Sequence, residues 1–249
     1  MSQPPPTRTG LARAMSKLGF CSRSRATELI RMGKVKVNLT VRKNPEFPVV
    51  LKKDVIIMDD ISINQAPRMY VMLNKPRGLV TSASDELGRE TVFSCFENSK
   101  LPHLSPVGRL DKASEGMLLF TNDNVWADTI TNPDTHLDKT YHVQISGEVD
   151  AQRLAQLKKG VEDEGEHLAA KDVKILRTGE KNTWLEFTLD EGRNRHIRRL
   201  LEAFGIEVLR LVRVKIGMLV LGNLVKGQWR ELTKYEVLKS REPQVVRPG

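Results

Sequence analysis

Three segments of the chain alternate apolar and polar residues so regularly that they allow little except β-strands: TYHVQISG (140–147), TWLEFTLD (183–190) and VLRLVRVKIG (208–217). A strand turns successive side chains to opposite faces, so this pattern fits a sheet with one covered face. Between them lie runs with helical spacing, ADTITN, AQRLAQLKKGV and RHIRRLLEAFG. The mixture predicts an α+β body built on a mostly antiparallel β-sheet flanked by helices. YVMLNKPRGLVTS adds a strand that must stop at Lys75-Pro76-Arg77-Gly78, because proline and glycine cannot continue a central strand.

The first sixty residues follow another plan. LARAMSKLGF reads as a short helix with Leu11, Met15 and Leu18 on one face and Gly19 as its stop. Ser22 is the expected N-cap of a second helix, RSRATELIRMG, which turns Ala26, Leu29 and Ile30 inward and ends at Gly33. Arg23, Arg25, Arg31 and Lys34 are left toward solvent, with Glu28 nearby. Short β-like runs follow at KVKVN and DVIIM, and Ile61 to Arg68 reads as a polar connector.

Charge separates the two regions. The protein carries a net +9 over 249 residues, but residues 1 to 65 hold 12 Lys/Arg against 5 Asp/Glu, whereas the remainder is nearly balanced. Such a concentrated excess favours a polyanionic partner over a solvated helix face. The segment from Thr9 to about Asp59 resembles the S4 RNA-binding domain, most specifically in GFCSRSRATELIRMGKVKVN. That family turns its hairpin with Asn-Gly. Here the pair is Asn38-Leu39, which leaves the tight turn open.

Other classes receive no support. No apolar stretch reaches the ~18 to 20 residues of a membrane span, and MSQPPPTRTG lacks the apolar core of a secretory signal, so a soluble cytoplasmic protein without membrane attachment is expected. Cys21 and Cys95 are isolated thiols outside any metal-ligand or disulfide spacing. The three tryptophans read as packing residues, and the histidines show no pairing pattern.

Chemistry concentrates around one carboxylate. In VGRLDKASEGMLLFTND (107–123), Asp111 stands between a strand-like stretch and a turn, followed by an apolar run. An aspartate there is ordinarily a cap or turn residue. EGRNRHIRR (191–199) changes its meaning, with four arginines in nine positions. If Asn194 to Phe204 is helical, Ile197, Leu200, Leu201 and Phe204 make one buried stripe. Arg195 and Arg199 then fall nearly opposite, while Arg198 lies at the stripe's edge and can turn inward. A half-buried guanidinium needs an anion, and Asp111 is the candidate, held ionised by that cation inside an apolar pocket.

The motifs VGRLDKASEGMLLFTND, DKTYHVQISGEV and LDEGRNRHIRRLLEAFGIEVLRLVRVKIG, preceded by LNKPRG and followed by GQWRELT, resemble the S4-containing ribosomal RNA pseudouridine synthases. The resemblance runs from the S4 segment to about Val237. It looks closer to the B-type synthases of the large subunit than to those of the small subunit, whose matching stretch often carries His-Gln. It implies an S4-type domain at 8–64, a catalytic domain at 67–240 and a C-terminal tail at 241–249. It further implies that Asp111 attacks the uridine, Tyr141 packs against the target base, Arg198 pairs with Asp111, and Arg109 fills the gap left by a flipped nucleotide. Lys75, Lys139, Arg193 and Arg195 join Arg23, Arg25, Arg31 and Lys34 as expected RNA contacts; Lys75 could instead be a simple turn residue.

Pseudouridylation breaks the N1–C1′ bond and rejoins the uracil through C5, so neither cofactor nor metal is expected. The implied partner is ribosomal RNA with an extruded uridine, and the implied state a monomer. Three rivals remain: a small-subunit 16S target in place of 23S, a glycoside or nucleoside hydrolase using Asp111 with Glu115, and a non-catalytic RNA-binding or ribosome-assembly factor.

Overall fold

A computed structural model describes residues 7–64, 66–82, 85 and 87–240, and the tail expected at 241–249 lies outside them. The chain divides into two compact units. The first holds the described residues up to Met69 together with Asn98–Ser105 and Thr121–Asn124; the second holds the rest.

The first unit begins with β1 (Thr9–Gly10), α1 (Leu11–Lys17) and α2 (Arg23–Arg31). It continues through β2 (Val35–Val37), β3 (Thr40–Val41), β4 (Pro48–Val49), β5 (Ile56–Met58) and β6 (Ile61–Ser62). Ser22 caps α2 as expected: its hydroxyl accepts the Arg25 amide at 3.2 Å. Leu11, Met15, Ala26 and Ile30 meet Val35, Val37, Val49 and Ile56 in one core. That apolar face leaves Arg23, Arg25, Arg31 and Lys34 exposed. Arg25 alone among them is ion-paired, to Glu28 at 3.0 Å.

Both hairpin turns in this unit form without glycine. Asn38 and Leu39 take φ of 49° and 68°, and Asp59 and Asp60 take 47° and 62°. Positive φ at both central residues is the mirror-image turn that matches strand twist. The second turn corrects the reading of Ile61 as connector: β6 pairs Ile61 with Met58 and Ser62 with Ile57. Asn38 tolerates the left-handed region and anchors the first turn, its side chain bonding Asp54 at 2.8 Å and the Val55 amide at 3.0 Å. Leu39 has no such compensation and is 80% exposed. Leu39→Gly should therefore raise the thermal stability of this unit by about 0.5 to 1 kcal/mol, the relief of a left-handed leucine less the added freedom of the unfolded glycine. Thermal denaturation followed by circular dichroism checks this, and an unchanged or lower midpoint would contradict it.

The second unit is built on β7 (Tyr70–Lys75), β8 (Ser105–Val107), β9 (Glu115–Thr121), α3 (Asn124–Thr131), β10 (Lys139–Ser146) and α4 (Ala151–Lys159), of which only the end residues Ser105, Thr121 and Asn124 fall in the first. A hairpin of β11 (Val161–Asp163) and β12 (Glu166–Leu168) precedes β13 (Asp172–Thr178), β14 (Asn182–Leu189), α5 (His196–Ala203) and β15 (Val208–Ile216). β16 (Leu219–Val220), β17 (Trp229–Glu231) and α6 (Lys234–Lys239) complete it. The main sheet runs β13-β14-β10-β15-β9-β7-β17, with β16 on β15 and β8 on β9. Its long pairings are antiparallel; β9 against β15 is parallel. Each of the three alternating segments is a strand. On β14 every second residue, Thr183, Leu185, Phe187 and Leu189, is buried.

β9 is buried along its whole length. Its parallel pairing sets Gly116 against Arg213, where Gly116 takes a φ of 99° and an added Cβ would run into the Arg213 backbone. The glycine of the Ser-Glu-Gly stretch is thus required by the close approach of β15. Trp126 fills the core, its ring edge-on to Tyr70 at 5.0 Å and its Nε1 donating to Ser240 at 2.8 Å. Among the described residues no helix is long and apolar enough to cross a membrane, and no group of three or more His, Cys, Asp or Glu residues is placed to hold a metal.

Candidate active site

Asp111 lies in the loop between β8 and β9, and this loop is fixed through its backbone oxygens. Thr81 Oγ1 donates to the Leu110 carbonyl at 2.7 Å. The buried ammonium of Lys75 donates to the carbonyls of Asp111 at 3.2 Å and Ser114 at 2.8 Å. The Gly78 amide donates to the Lys112 carbonyl at 2.8 Å, and Arg198 Nη2 donates to that of Ala113 at 3.2 Å. All five consecutive carbonyls from Leu110 to Ser114 are therefore held by donors outside the loop. The Asp111 residue itself is exposed, free to face a cavity at the surface of the unit.

Lys75 was expected to contact RNA, and the structure corrects this. The residue has no exposed surface. Val71, Leu73 and Lys75 share one face of β7, so the period-2 pattern already pointed the lysine inward. Burial pushes its ammonium down to about 8, with Asp111 and Glu115 acting in the opposite direction. The unfolded chain keeps this proton to about 10.5 and the folded chain releases it near 8, so in that window the unfolded state binds more protons. This residue's contribution to stability therefore rises with pH between about 8 and 10.5. Lys75→Met should lack that gain, on the order of 3 kcal/mol relative to the parent protein. Denaturant titrations of both proteins at either end of the window measure it; parallel pH dependence would refute the assignment.

The cavity has a volume of about 380 Å³, within the range of small-ligand sites. Six cations line it, Arg109, Lys139, Arg193, Arg195, Arg198 and Arg213, against the two carboxylates of Asp111 and Glu191. Tyr141 stands near the start of β10, 9% exposed, between Phe187 on β14 and Arg213 on β15. Asp111, Tyr141 and Arg198 come from three separate stretches of sequence and line the same space.

Arg198 reaches the Asp111 loop in a different way from the expected bidentate pair. Its guanidinium binds the Ala113 carbonyl and makes no ion pair with Asp111, although the two lie close enough for Asp111 to stabilise its charge. Burial pushes the Arg198 guanidinium down from its ordinary value, and Arg195 and Arg77 add repulsion. The helix also starts later than the expected Asn194: Arg195 adopts a left-handed φ of 51°, so α5 begins at His196.

The remaining expected residues divide clearly. Arg109 and Arg195 are exposed at the cavity, Lys139 and Arg193 are half-buried in its lining, and Arg193 is paired to Glu191 at 3.1 Å. Arg23, Arg25, Arg31 and Lys34 belong to the other unit.

The supporting roles of several residues went unread in the sequence. Arg199, expected on the open side of α5, is covered by the β11–β12 hairpin, where it binds Asp163 and Glu166, each at 2.6 Å. His196 is buried against the Ala169 carbonyl at 3.1 Å, and burial lowers its pKa, which favours the neutral ring. Glu115 is buried and gripped by Arg210, two contacts at 3.1 Å, and by Lys226 at 2.5 Å. Alternation could have flagged Arg213, which shares the inward phase of Leu211 on β15.

A carboxylate at the mouth of a cavity ringed by cations, in a chain that also carries a compact basic module, defines the class: an enzyme acting on a polyanionic nucleic-acid chain. Residues 69–203 match the family described as RNA pseudouridylate synthase, and residues 9–56 match the S4 domain. The chain belongs to the RNA pseudouridylate synthase family, isomerases of uridine in RNA, and carries an S4 domain. It is 36% identical over 234 residues to a ribosomal large subunit pseudouridine synthase B of Bacillus subtilis (strain 168), covering 93% of this chain and 95% of the relative. A protein of the same description from Yersinia pestis is 32% identical over 89% of this chain and 72% of its own. Among solved structures, a pseudouridylate synthase superposes with a TM-score of 0.65 at 32% identity, covering 93% of this chain and 99% of that one.

Proposed function

We propose that this protein converts a specific uridine of ribosomal RNA, in the 23S large-subunit RNA, to pseudouridine, with Asp111 as the reactive carboxylate. The observation that carries the reading is the convergence of Asp111, Tyr141 and Arg198 on one cation-lined cavity. Similarity to large-subunit synthases supports the choice of RNA. Asp111 acts on the extruded nucleotide, attacking C1′ or the base, or removing a sugar proton. Tyr141 supplies an aromatic edge for the uracil, and Arg109 occupies the space the base leaves. Arg198 supplies positive charge beside the reactive carboxylate. Arg193 and Arg195 hold phosphates around the nucleotide, and Lys139 contacts the nucleotide itself. The S4-type domain is taken as 8–64 and the catalytic domain as 67–240, in a cytoplasmic monomer.

The hydrolase alternative needs Glu115 as a second working carboxylate. Glu115 is instead neutralised by Arg210 and Lys226 and lies outside the cavity lining. A reaction releasing no free uracil would agree with the isomerase. Mapping pseudouridines in ribosomal RNA from cells with and without the gene tests the function. Loss of one 23S modification is expected; loss of a 16S modification would redirect the target, and an unchanged map would overturn the reading.

The S4 segment is assigned RNA affinity through its exposed cations. Replacing Arg23, Arg25, Arg31 and Lys34 together by glutamine in the full chain should weaken RNA binding. The slope of log K against log salt should become shallower by about 3, since each lost phosphate contact removes roughly 0.7 to 0.9. An unaltered slope in filter-binding titrations would contradict the assignment.

A further inference from the structure

Of the six cations lining the cavity, one is left without a role by the chemistry above. Arg213, on β15, is 7% exposed. Its Nε donates to the Met117 carbonyl at 2.8 Å, which ties β15 to β9. The other end of the guanidinium behaves differently. Nη2 is buried and has no hydrogen-bond partner among the described residues, and Arg213 is one of the residues lining the cavity shared by Asp111 and Tyr141. A guanidinium cannot shed its proton, and a buried donor without an acceptor costs about 1 to 3 kcal/mol, more when charged. An orphaned charged donor on a residue that lines a cavity is accounted for when ligand binding brings an acceptor to it.

The neighbours of Arg213 say what kind of acceptor fits. Arg213 and Tyr141 are paired across β15 and β10, so their side chains share one face of the sheet beside the aromatic ring. Lys139 lies two residues before Tyr141 on the same strand and also lines the cavity. Burial and the charge of Arg213 both push the Lys139 ammonium down, and Lys139 has no ion pair among the described residues. Two mutually repelling cations thus flank the ring proposed to carry the uracil. Exposed Arg195 at the cavity offers a more accessible phosphate contact.

Negative charge develops on uracil by whichever route Asp111 follows. When N1–C1′ breaks by attack at C1′ or by loss of a sugar proton, its electron pair stays on the pyrimidine and spreads over N1, O2 and O4. When the carboxylate adds to C6, the charge passes to C5 and O4 as an enolate. Afterwards C5 bonds to C1′ and gives up its proton while N1 gains one, so no co-reactant is consumed. We propose that Arg213, assisted by Lys139, receives a carbonyl oxygen of the target uracil and stabilises the charge that gathers there. This rests on the reading of the Asp111 cavity as the site of uridine isomerisation. Donors held in place before the charge appears are the arrangement that lowers such a barrier.

The test uses the full-length enzyme, an RNA containing its mapped target, and that RNA with 2-thiouridine or 4-thiouridine at the target. Release of tritium from C5 is followed under single-turnover conditions, beside RNA affinity and a thermal melt. Arg213→Lys and Lys139→Met should each slow reaction with uridine, Arg213→Lys by about a hundredfold, with affinity preserved. In the parent enzyme one thio-substitution should impose its own penalty, and that penalty should shrink in the variants, because substitutions on the two sides of one contact are not additive. Lys139 makes no backbone anchor of the Met117 kind, so Lys139→Met carries the test if Arg213→Lys does not fold. Undiminished penalties for both thio-substrates, or a loss confined to RNA affinity, would overturn the proposal alone. If the parent enzyme made no pseudouridine in ribosomal RNA, the reading of the cavity would fail first, and this proposal with it.

Discussion

Asp111→Asn should bind its RNA with unchanged affinity and make no detectable pseudouridine, a loss of about four orders of magnitude in single-turnover rate. Asparagine keeps the shape of the side chain and removes only its charge. The backbone contacts of the loop do not involve the carboxylate, since Thr81, Lys75, Gly78 and Arg198 all hold main-chain oxygens. The variant should therefore melt at the temperature of the parent protein, which separates lost chemistry from lost structure. Tritium release from C5-labelled uridine provides the rate. Retained turnover would remove Asp111 from the reaction and return the cavity to a binding role.

Arg198→Met should be the next most damaging change, slowing the reaction about a hundredfold while RNA binding persists. Two effects combine. Methionine leaves the Ala113 carbonyl without its donor, and it removes the positive charge that Asp111 stabilises in return. Arg198→Lys should restore part of the rate by returning the charge without the planar fork of donors. A near-normal rate for Arg198→Met would mean that another cation near Asp111 takes over its part, with Lys75, beneath the loop, the first to examine.

Much of the fold was readable because it rests on periodic patterns. The alternation in β10, β14 and β15 is imposed by a sheet with one buried face, and the Ser22 cap and Gly33 stop mark local backbone needs. The two glycine-free turns were less readable, because asparagine and aspartate visit positive φ only when tertiary contacts favour it, as Asp54 and Val55 do for Asn38. Asp111, Tyr141 and Arg198 could be named from motif resemblance, and helix geometry gave the inward turn of Arg198. The geometry of their meeting was not readable. Whether Arg198 bonds a carboxylate or the carbonyl two residues away depends on ångström-scale placement of two distant segments. Arg199 escaped for a related reason: helical spacing assigns it the outer side, and only the β11–β12 hairpin, folded over that side, buries it. Lys75 was legible from strand phase, since it shares the buried face of Val71 and Leu73 on β7, whereas the resemblance implied a contact with RNA.

The pinning of five successive carbonyls around Asp111 also bears on how the enzyme meets its RNA. A segment whose oxygens already have donors gives up little further freedom when substrate arrives, and offers few alternative shapes into which it could relax. The energy of gripping phosphates is then left for prising a nucleotide from its stacked neighbours instead of assembling the reactive loop. Hydrogen–deuterium exchange at Lys112, Ala113 and Ser114 should accordingly look the same with and without RNA, while the adaptation on complex formation falls to the nucleic acid.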